Sequence, residues 1–352
     1  MNISNTYTCR SRQRGISMIE LMIAMLLGLF LMAGVLQLFS SNKATFGNME
    51  GISEIQDGAR AGIERMRSRV RMAGYMGCSN TNVLNPNNMT AGVANVAFGP
   101  NVMITGADND ATDPNIVDGT DSVTVVFATA ANTELNANMT SRTDNIVITS
   151  NPNNFRMDDA LIISDCENAD VFGISNFTGT GPYTIAHALN DQNGDQVNSS
   201  TSLAKPYLAN NSLIMSLSNA TYSVQNTNPL RTDDAGNPVT ALFETRGGTS
   251  TEIVSGVEDM QIVYGVDTDA SADGEADLYQ SAAAMAAAQW ARVVSVRIAL
   301  LIATERGVGR DVDVRPYNFL TDTAGIAGAA QTGDRHMRRS FTTTIGLRNR
   351  SS

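Results

Sequence analysis

The chain has 352 residues, and its 24 Lys and Arg against 35 Asp and Glu give a net charge of −11. Proteins that bind phosphates carry a basic excess, so this acidity argues against a nucleic-acid partner. With 42% hydrophobic and 17% charged residues the chain is neither disordered nor highly charged, and three cysteines are too few for a disulfide-dense scaffold.

Residues 16–39 form one apolar segment in which Glu20 is the single charged residue. As a helix this segment extends roughly 36 Å, more than the roughly 30 Å hydrocarbon core of a bilayer. Arg10, Arg12 and Arg14 precede it. Positive charge before an apolar span keeps that end in the cytoplasm, so we expect the chain after residue 39 to be exported.

Glu20 is the unusual residue of this segment. An unpaired ionisable group inside a bilayer is costly and usually marks a functional position, and the segment has no basic residue to pair with it. The segment is too long for the apolar region of a cleaved secretory signal, and no small-residue cleavage site follows it. A plain signal anchor, in which Glu20 is incidental, remains the alternative.

The stretch from Arg14 to Leu21 resembles the type III signal of type IV prepilins, in which a glycine follows basic residues and a glutamate stands at the fifth position after it. The resemblance implies that a prepilin peptidase of the inner membrane cuts after Gly15 and that Ile16 is then methylated. It also implies that Glu20 pairs with the N-terminal amine of a neighbouring subunit. Many pilins have Phe where this chain has Ile16, which keeps the position apolar.

A helical period continues beyond residue 39. Apolar residues recur at steps of three and four and form one stripe: Ile52, Ile55, Ala59, Ile63, Met66, Val70 and Ala73. This pattern predicts one helix from residue 16 to about residue 73, with an amphipathic half over residues 40–75 and terminators at Gly74 and Gly77. The four glycines between residues 47 and 62 are expected to weaken the helix and fray it locally.

The end of this helix carries a basic cluster of five arginines: Arg60, Arg65, Arg67, Arg69 and Arg71. A contact with nucleic acid or lipid headgroups is one interpretation. Because the chain is acidic elsewhere, we favour a solvated polar face, helped by cations near a helix C-terminus.

From about residue 76 to residue 352 the composition changes to Asn, Thr, Ser, Gly and Asp with short β-branched runs. Strands are predicted at residues 122–128, 145–150, 161–164, 171–177, 183–187, 212–217, 240–243, 261–266, 293–302 and 341–347. An alanine-rich helix is predicted at residues 281–289. The fold class is therefore α+β, with one long N-terminal helix followed by a β-rich domain.

The cysteines suggest one disulfide bond. Cys9 lies in the predicted leader, residues 1–15, and would be lost on cleavage. Cys78 and Cys166 would remain in an oxidising compartment, where a single connectivity is available. Two independent thiols are the alternative.

Further segments resemble the PilW-type minor pilins. They include Ile55 to Arg60, Arg71 to Cys78, Asp165 to Phe172, Val257 to Asp267, and the C-terminal stretch from Arg339 to Arg350. The resemblance implies a pilin-like subunit held in the inner membrane, with its β domain in the periplasm, before incorporation into an extracellular filament.

The function implied by this resemblance is priming of type IV pilus assembly at or near the pilus tip, in support of twitching motility and adhesion. The implied partners are other minor pilins, the major pilin, a PilY-type tip adhesin, the prepilin peptidase and the assembly platform of the inner membrane. A type II secretion pseudopilin and a membrane-anchored periplasmic adhesion protein that never polymerises are the alternatives.

An acidic stretch supplies a candidate cation site: Asp267, Asp269, Asp273 and Asp277 alternate around Gly274. Oxygen ligands and a glycine turn suit Ca²⁺, but the compact calcium-loop spacing is broken and the final bidentate Glu is absent, so an acidic solvated hairpin is the alternative. A shorter segment, Asp191 to Asp195, is similar. No other cofactor is predicted.

The sequence gives no sign of an enzyme. His187 and His336, the only histidines, lie in no recognisable nucleophile setting, and the common hydrolase, metalloprotease and phosphate-binding motifs are missing from the sequence. Both histidines are predicted to be surface or loop residues.

Overall fold

The computed structural model describes residues 15–77, 86–109, 113–129, 133–270, 273–309, 311–320 and 333–350. One long helix precedes several β-sheets, so the predicted α+β class is confirmed. The chain divides into two compact units, Met1–Glu50 and Gly51–Ser352. The predicted boundaries at residues 15, 39 and 75 separate the leader, the membrane segment, the amphipathic half of the helix and the β domain. The two compact units do not test these boundaries, which stay predictions.

The helix α1 (Met18–Val70) has 53 residues. It ends close to the predicted position, in a turn over residues 71–74. Gly74 and Gly77 have φ angles of 71° and 97°, in the left-handed region that favours glycine, and the Gly74 N–H donates to the carbonyl of Val126 at 2.8 Å. Termination at these glycines is confirmed. The helix is unbroken through the glycines of its second half, so the expected fraying is wrong.

The strands in chain order are β1 (Asn87–Asn88), β2 (Ile104–Ala107), β3 (Ser122–Ala128), β4 (Thr133–Glu134), β5 (Ile146–Ile148), β6 (Ala160–Ser164), β7 (Ala169–Gly173), β8 (Asn176–Thr178), β9 (Tyr183–Ala186), β10 (Leu213–Asn226), β11 (Thr240–Arg246), β12 (Thr249–Ser255), β13 (Val257–Val266), β14 (Leu278–Gln280), β15 (Val293–Ala303) and β16 (Arg338–Gly346). Three short 3₁₀ helices cover Gly92–Ala94, Ala282–Ala284 and Ala287–Arg292.

These strands form three sheets. The largest has nine strands and follows the order β1-β7-β6-β10-β11-β12, with β3 and β4 also paired to β10, and β2 paired to β3. A four-stranded sheet has the order β14-β13-β15-β16, and a three-stranded sheet has the order β5-β9-β8. The 14-residue β10 joins two parts of the large sheet: its first residues pair with β6 and β4, and its last residues pair with β3 and β11.

The main core lies where the second half of α1 meets these sheets. Six helix residues at steps of three and four are buried: Gly51, Ile55, Ala59, Gly62, Met66 and Val70. The four with side chains (Ile55, Ala59, Met66 and Val70) share one cluster with side chains from β3, β10, β11, β13, β15 and β16. Four of these six belong to the predicted stripe, and the two glycines each lie one position before a stripe residue, which confirms the period of this half of the helix.

Two predictions within the β domain need correction. Residues 171–177 belong to two strands, β7 and β8, rather than one. Residues 281–289 form two 3₁₀ segments rather than a helix, because alanine supplies propensity but no apolar stripe to bury there. The Asp108 carboxylate instead accepts the N–H groups of Ala282 and Ala283, both at 2.8 Å.

Candidate assembly site

The predicted processing and pairing residues lie at the start of α1. Gly15 precedes the helix, outside regular secondary structure, and an added Cβ there would meet no atom within 4 Å. Ile16 is exposed, and Glu20 lies in the first helical turn. A carboxylate in the first turn is favoured by the helix dipole. Among the described residues, no cationic side chain forms an ion pair with Glu20.

The apolar side chains around Glu20 are not buried by any part of the chain that the structure describes. Every large hydrophobic residue from Ile16 to Phe39 is exposed, with exposed fractions from 47% at Leu21 to 84% at Met18. By length and composition this helix is apolar enough to cross a membrane. Burying a large apolar side chain contributes about 1.5–3 kcal/mol, so a surface of this size requires lipid or apolar helices around it.

The second half of α1 contacts the sheets through its glycines. A Cβ added at Gly51 would lie 2.8 Å from Thr304 Cγ2, and one at Gly58 would lie 2.9 Å from Val254 Cγ1. Such separations are shorter than packed carbon atoms allow. The glycines therefore permit close approach of the helix to the sheets.

Two arginines of the basic cluster hold a buried carboxylate. Glu244 on β11 is only 4% exposed, and its oxygens lie 2.5 Å from Arg65 Nη2 and 3.8 Å from Arg69 Nε. The Tyr222 hydroxyl donates to the same carboxylate at 3.1 Å. Hydrogen bonding to Glu244 raises the pKa of Arg65. Arg65 lies on an exposed face, as predicted, whereas Arg69 is half-buried. Beyond the predicted role, both arginines fasten the helix to the large sheet.

The four aspartates of the candidate calcium loop lie between β13 and β14, where residues 271–272 are outside the described residues. The buried Asp267 carboxylate accepts the Gly274 N–H at 3.0 Å and lies 3.3 Å from Arg292 Nη2. The Asp277 carboxylate accepts the N–H and hydroxyl of Thr268, at 2.7 and 2.9 Å, and these bonds lower the pKa of Asp277. Protein donors thus already bind both carboxylates, and calcium binding stays a prediction.

Cys166 is disulfide-bonded and has a positive φ of 73°. It follows β6, and the backbone N–H groups of the next two residues donate to the carboxylate of Asp165. Cys78 lies outside the described residues. The predicted pairing of Cys78 with Cys166 therefore stays a prediction.

Both histidines lie in loops, as predicted, but both are buried rather than at the surface. His187 is 3% exposed, and its Nε2 lies 3.0 Å from the carbonyl oxygen of Asp144. His336 is 6% exposed, and its Nε2 lies 2.9 Å from Asp234 Oδ1. The partners are distant in the chain, so no local motif could have indicated these contacts.

Two family models match the chain. Residues 10–36, which include Gly15, Ile16 and Glu20, match the prokaryotic N-terminal methylation motif and are in this respect similar to prepilin-like proteins. Residues 216–349 match the family described as type IV pilus-assembly protein W. Over these two regions the chain is similar to PilW-type prepilin-like proteins, and this similarity supports a type IV pilus minor pilin.

The matched regions agree with much of the proposed resemblance. The segments from Val257 to Asp267 and from Arg339 to Asn349 lie within the matched C-terminal region. The other three PilW-like segments lie outside both matches: Ile55 to Arg60, Arg71 to Cys78 and Asp165 to Phe172. Both families are structural components of pilus assembly rather than enzymes. No curated protein and no solved structure matches the chain.

Proposed function

We propose that this protein is a minor pilin that helps to prime type IV pilus assembly and is incorporated at or near the pilus tip, where it supports twitching motility and adhesion. The observation that carries this proposal is the exposed apolar first half of α1, with Glu20, which has no ion-pair partner among the described residues, in its first turn. An apolar helix that carries one carboxylate suits a subunit that moves from the lipid bilayer into a bundle of neighbouring helices. In that bundle a neighbouring subunit supplies the positive charge that pairs with the carboxylate.

The proposed pathway begins in the inner membrane. A prepilin peptidase cuts after Gly15, Ile16 becomes the methylated N-terminus, and Glu20 pairs with the N-terminal amine of a neighbouring subunit. The β domain faces the periplasm and becomes extracellular in the filament. There it contacts other minor pilins, the major pilin and a PilY-type adhesin, while the inner-membrane platform drives assembly.

Replacing the carboxylate tests the charge-pairing step. We expect Glu20→Ala to abolish complementation of piliation and twitching in a strain that lacks this gene, because the assembled helix loses its charge partner. Glu50→Ala is the matched control, since Glu50 is an exposed glutamate of the same helix beyond the apolar segment. The variant and control should accumulate equally in the membrane. Normal piliation with Glu20→Ala would contradict the proposal and favour an anchored protein that does not polymerise.

Intact-mass analysis of the membrane-derived protein tests processing. The expected mass is that of a chain that begins at a methylated Ile16, and Gly15→Val should retain the leader. A wild-type mass that includes residues before Ile16 would contradict the prepilin assignment. Loss of secretion with intact piliation in the deletion strain would instead indicate a type II secretion pseudopilin.

A further inference from the structure

A buried histidine and two aspartates meet at one edge of the β domain. Asp233 and Asp234 lie in the loop between β10 and β11, and His336 lies two residues before β16. His336 Nε2 lies 2.9 Å from Asp234 Oδ1 and 3.9 Å from Asp233 Oδ2. Potential ligand atoms of the three residues all lie within 4.8 Å of one another. We call these three residues the Asp-Asp-His group.

Hydrogen bonds fix the orientation of both carboxylates. Asp234 Oδ2 accepts the Gly307 N–H at 2.9 Å, which leaves Oδ1 toward the imidazole. Asp233 Oδ1 accepts the N–H groups of Ala235 and Asn237, at 2.9 and 2.7 Å. Its Oδ2, the oxygen nearest His336, accepts the side-chain amide of Asn237 at 3.1 Å. Ligating carboxylates in metal sites are held in this way by partners behind them.

Within the part of the chain that the structure describes, the acidic residues around the Asp-Asp-His group pair with arginines, whereas the two aspartates of the group do not. Arg338 forms bidentate pairs with Asp334 and Glu258, at 2.5–2.6 Å and 2.6–2.8 Å. Arg231 pairs with Glu252 at 2.6 Å and with Glu305 at 3.4 Å. Among the described residues, the one cationic partner of the two loop aspartates is the imidazole itself, which is charged only when protonated. With a neutral imidazole the group therefore carries two uncompensated negative charges.

The geometry points to a site for a divalent transition-metal ion of the Zn²⁺ type, held by His336, Asp233 and Asp234. Zinc bonds to nitrogen and oxygen ligands are about 2.0–2.2 Å long, so two ligands of one tetrahedral ion lie roughly 3.4 Å apart. The two separations from the imidazole nitrogen, 2.9 and 3.9 Å, lie within about 0.5 Å of this value. A nitrogen ligand beside two carboxylates favours such an ion over Ca²⁺, which takes oxygen ligands.

The site has room for further ligands. An open cavity of about 300 Å³ is lined by Asp233, His336, Asp334 and Glu305. Water or a group from another molecule can complete the coordination from this side. The ion would also join the loop after β10 in the large sheet to the start of β16 in the four-stranded sheet. Binding would therefore stabilise the folded β domain in proportion to the free metal concentration.

Zinc alone is the probe for the experiment. The full mature chain in detergent is stripped with EDTA and titrated with Zn²⁺ at pH 7.5 by calorimetry, and thermal unfolding is followed with and without the ion. We expect one Zn²⁺ per chain and a higher Tm with zinc. Asp234→Asn and His336→Gln should each weaken the affinity at least about tenfold. Glu305→Gln is the matched control, because it removes a carboxylate of the same cavity that already pairs with Arg231, and its affinity should stay within about threefold.

Three outcomes would overturn the site. They are the absence of zinc-dependent heat and of any Tm shift, zinc binding that both variants leave unchanged, and a response to Ca²⁺ without a response to Zn²⁺. If Asp234→Asn or His336→Gln does not fold, Co²⁺ absorption in the wild-type chain provides the second test. Ligand-field bands of a mixed nitrogen and oxygen site support the proposal, and a spectrum without a nitrogen ligand overturns it.

Discussion

The two halves of α1 use the same backbone but differ in what covers their apolar side chains. From Ile16 to Phe39 every large apolar side chain is exposed, whereas Ile55, Met66 and Val70 are buried against the sheets. The first half is apolar on all sides, and the second half has one apolar stripe.

This difference shows where each half obtains its stabilisation. The stripe is matched by side chains of the same chain, so its burial is intramolecular. The first half has no such match among the described residues, so its burial depends on lipid or on other subunits. Substitutions in one half should therefore affect folding, and substitutions in the other half should affect membrane insertion and assembly.

Truncation of one apolar side chain in each half tests this comparison most strongly. Met66→Ala removes a side chain with no exposed surface and should lower the free energy of unfolding by about 2–5 kcal/mol. Leu26→Ala, whose side chain is 56% exposed, should change it by less than about 0.5 kcal/mol. Urea denaturation of the mature chain in detergent, followed by β-sheet circular dichroism, measures both. Equal losses would contradict the comparison.

A buried carboxyl group provides a second test. Asp121 is buried in the β domain, so its ionisation should affect folding. Desolvation raises the pKa of Asp121 to about 7, although its carboxylate accepts the N–H groups of Asn109 and Ile262 at 3.1 and 2.7 Å. Ionisation of a carboxyl with a raised pKa opposes folding. Its contribution to stability is therefore lost as the pH rises from about 4 to about 7, by up to about 1.4 kcal/mol per pH unit.

Asp121→Asn removes this titration. As the pH rises from 5 to 7, the free energy of unfolding of the variant should increase relative to that of the wild type. Above pH 8 the difference between the two free energies, here called the gap, should stay constant. Urea denaturation at each pH measures the gap, and the carboxyl carbon resonance of Asp121 gives the midpoint directly. A gap that is independent of pH, or a midpoint near 4, would show that the carboxylate is hydrated.

Glycine substitutions in the two halves should have the smallest effects and opposite signs. Gly58→Ala places a Cβ 2.9 Å from Val254 and should destabilise the β domain by about 1 kcal/mol, since the clash exceeds the gain in helix propensity. At Gly28 an added Cβ meets nothing within 4 Å, so Gly28→Ala should be neutral or stabilise the helix by up to about 1 kcal/mol. Thermal unfolding and helical circular dichroism distinguish the two. If both substitutions lowered stability, the proposed difference between the two halves of the helix would be contradicted.

Features encoded by local sequence could be predicted, and features that depend on distant contacts could not. The helix, its glycine termination and its prepilin-type start follow from adjacent residues. In contrast, Arg65 pairs with Glu244 across 179 positions, and His336 meets Asp234 across 102. No period or short motif relates such residues. Strand β12 is composed largely of Thr and Ser and has no apolar alternation, because it forms a partly exposed edge beside β11.

The long strand β10 has a mechanical consequence. Its single backbone runs through two ladders, one with β6 and β4 and the other with β3 and β11. A pull along this strand loads the hydrogen bonds of both ladders in shear at the same time, because the bonds lie across the strand direction. A flexible loop between the ladders would let them separate one after the other. The β domain is therefore built to carry tension along β10 as one piece.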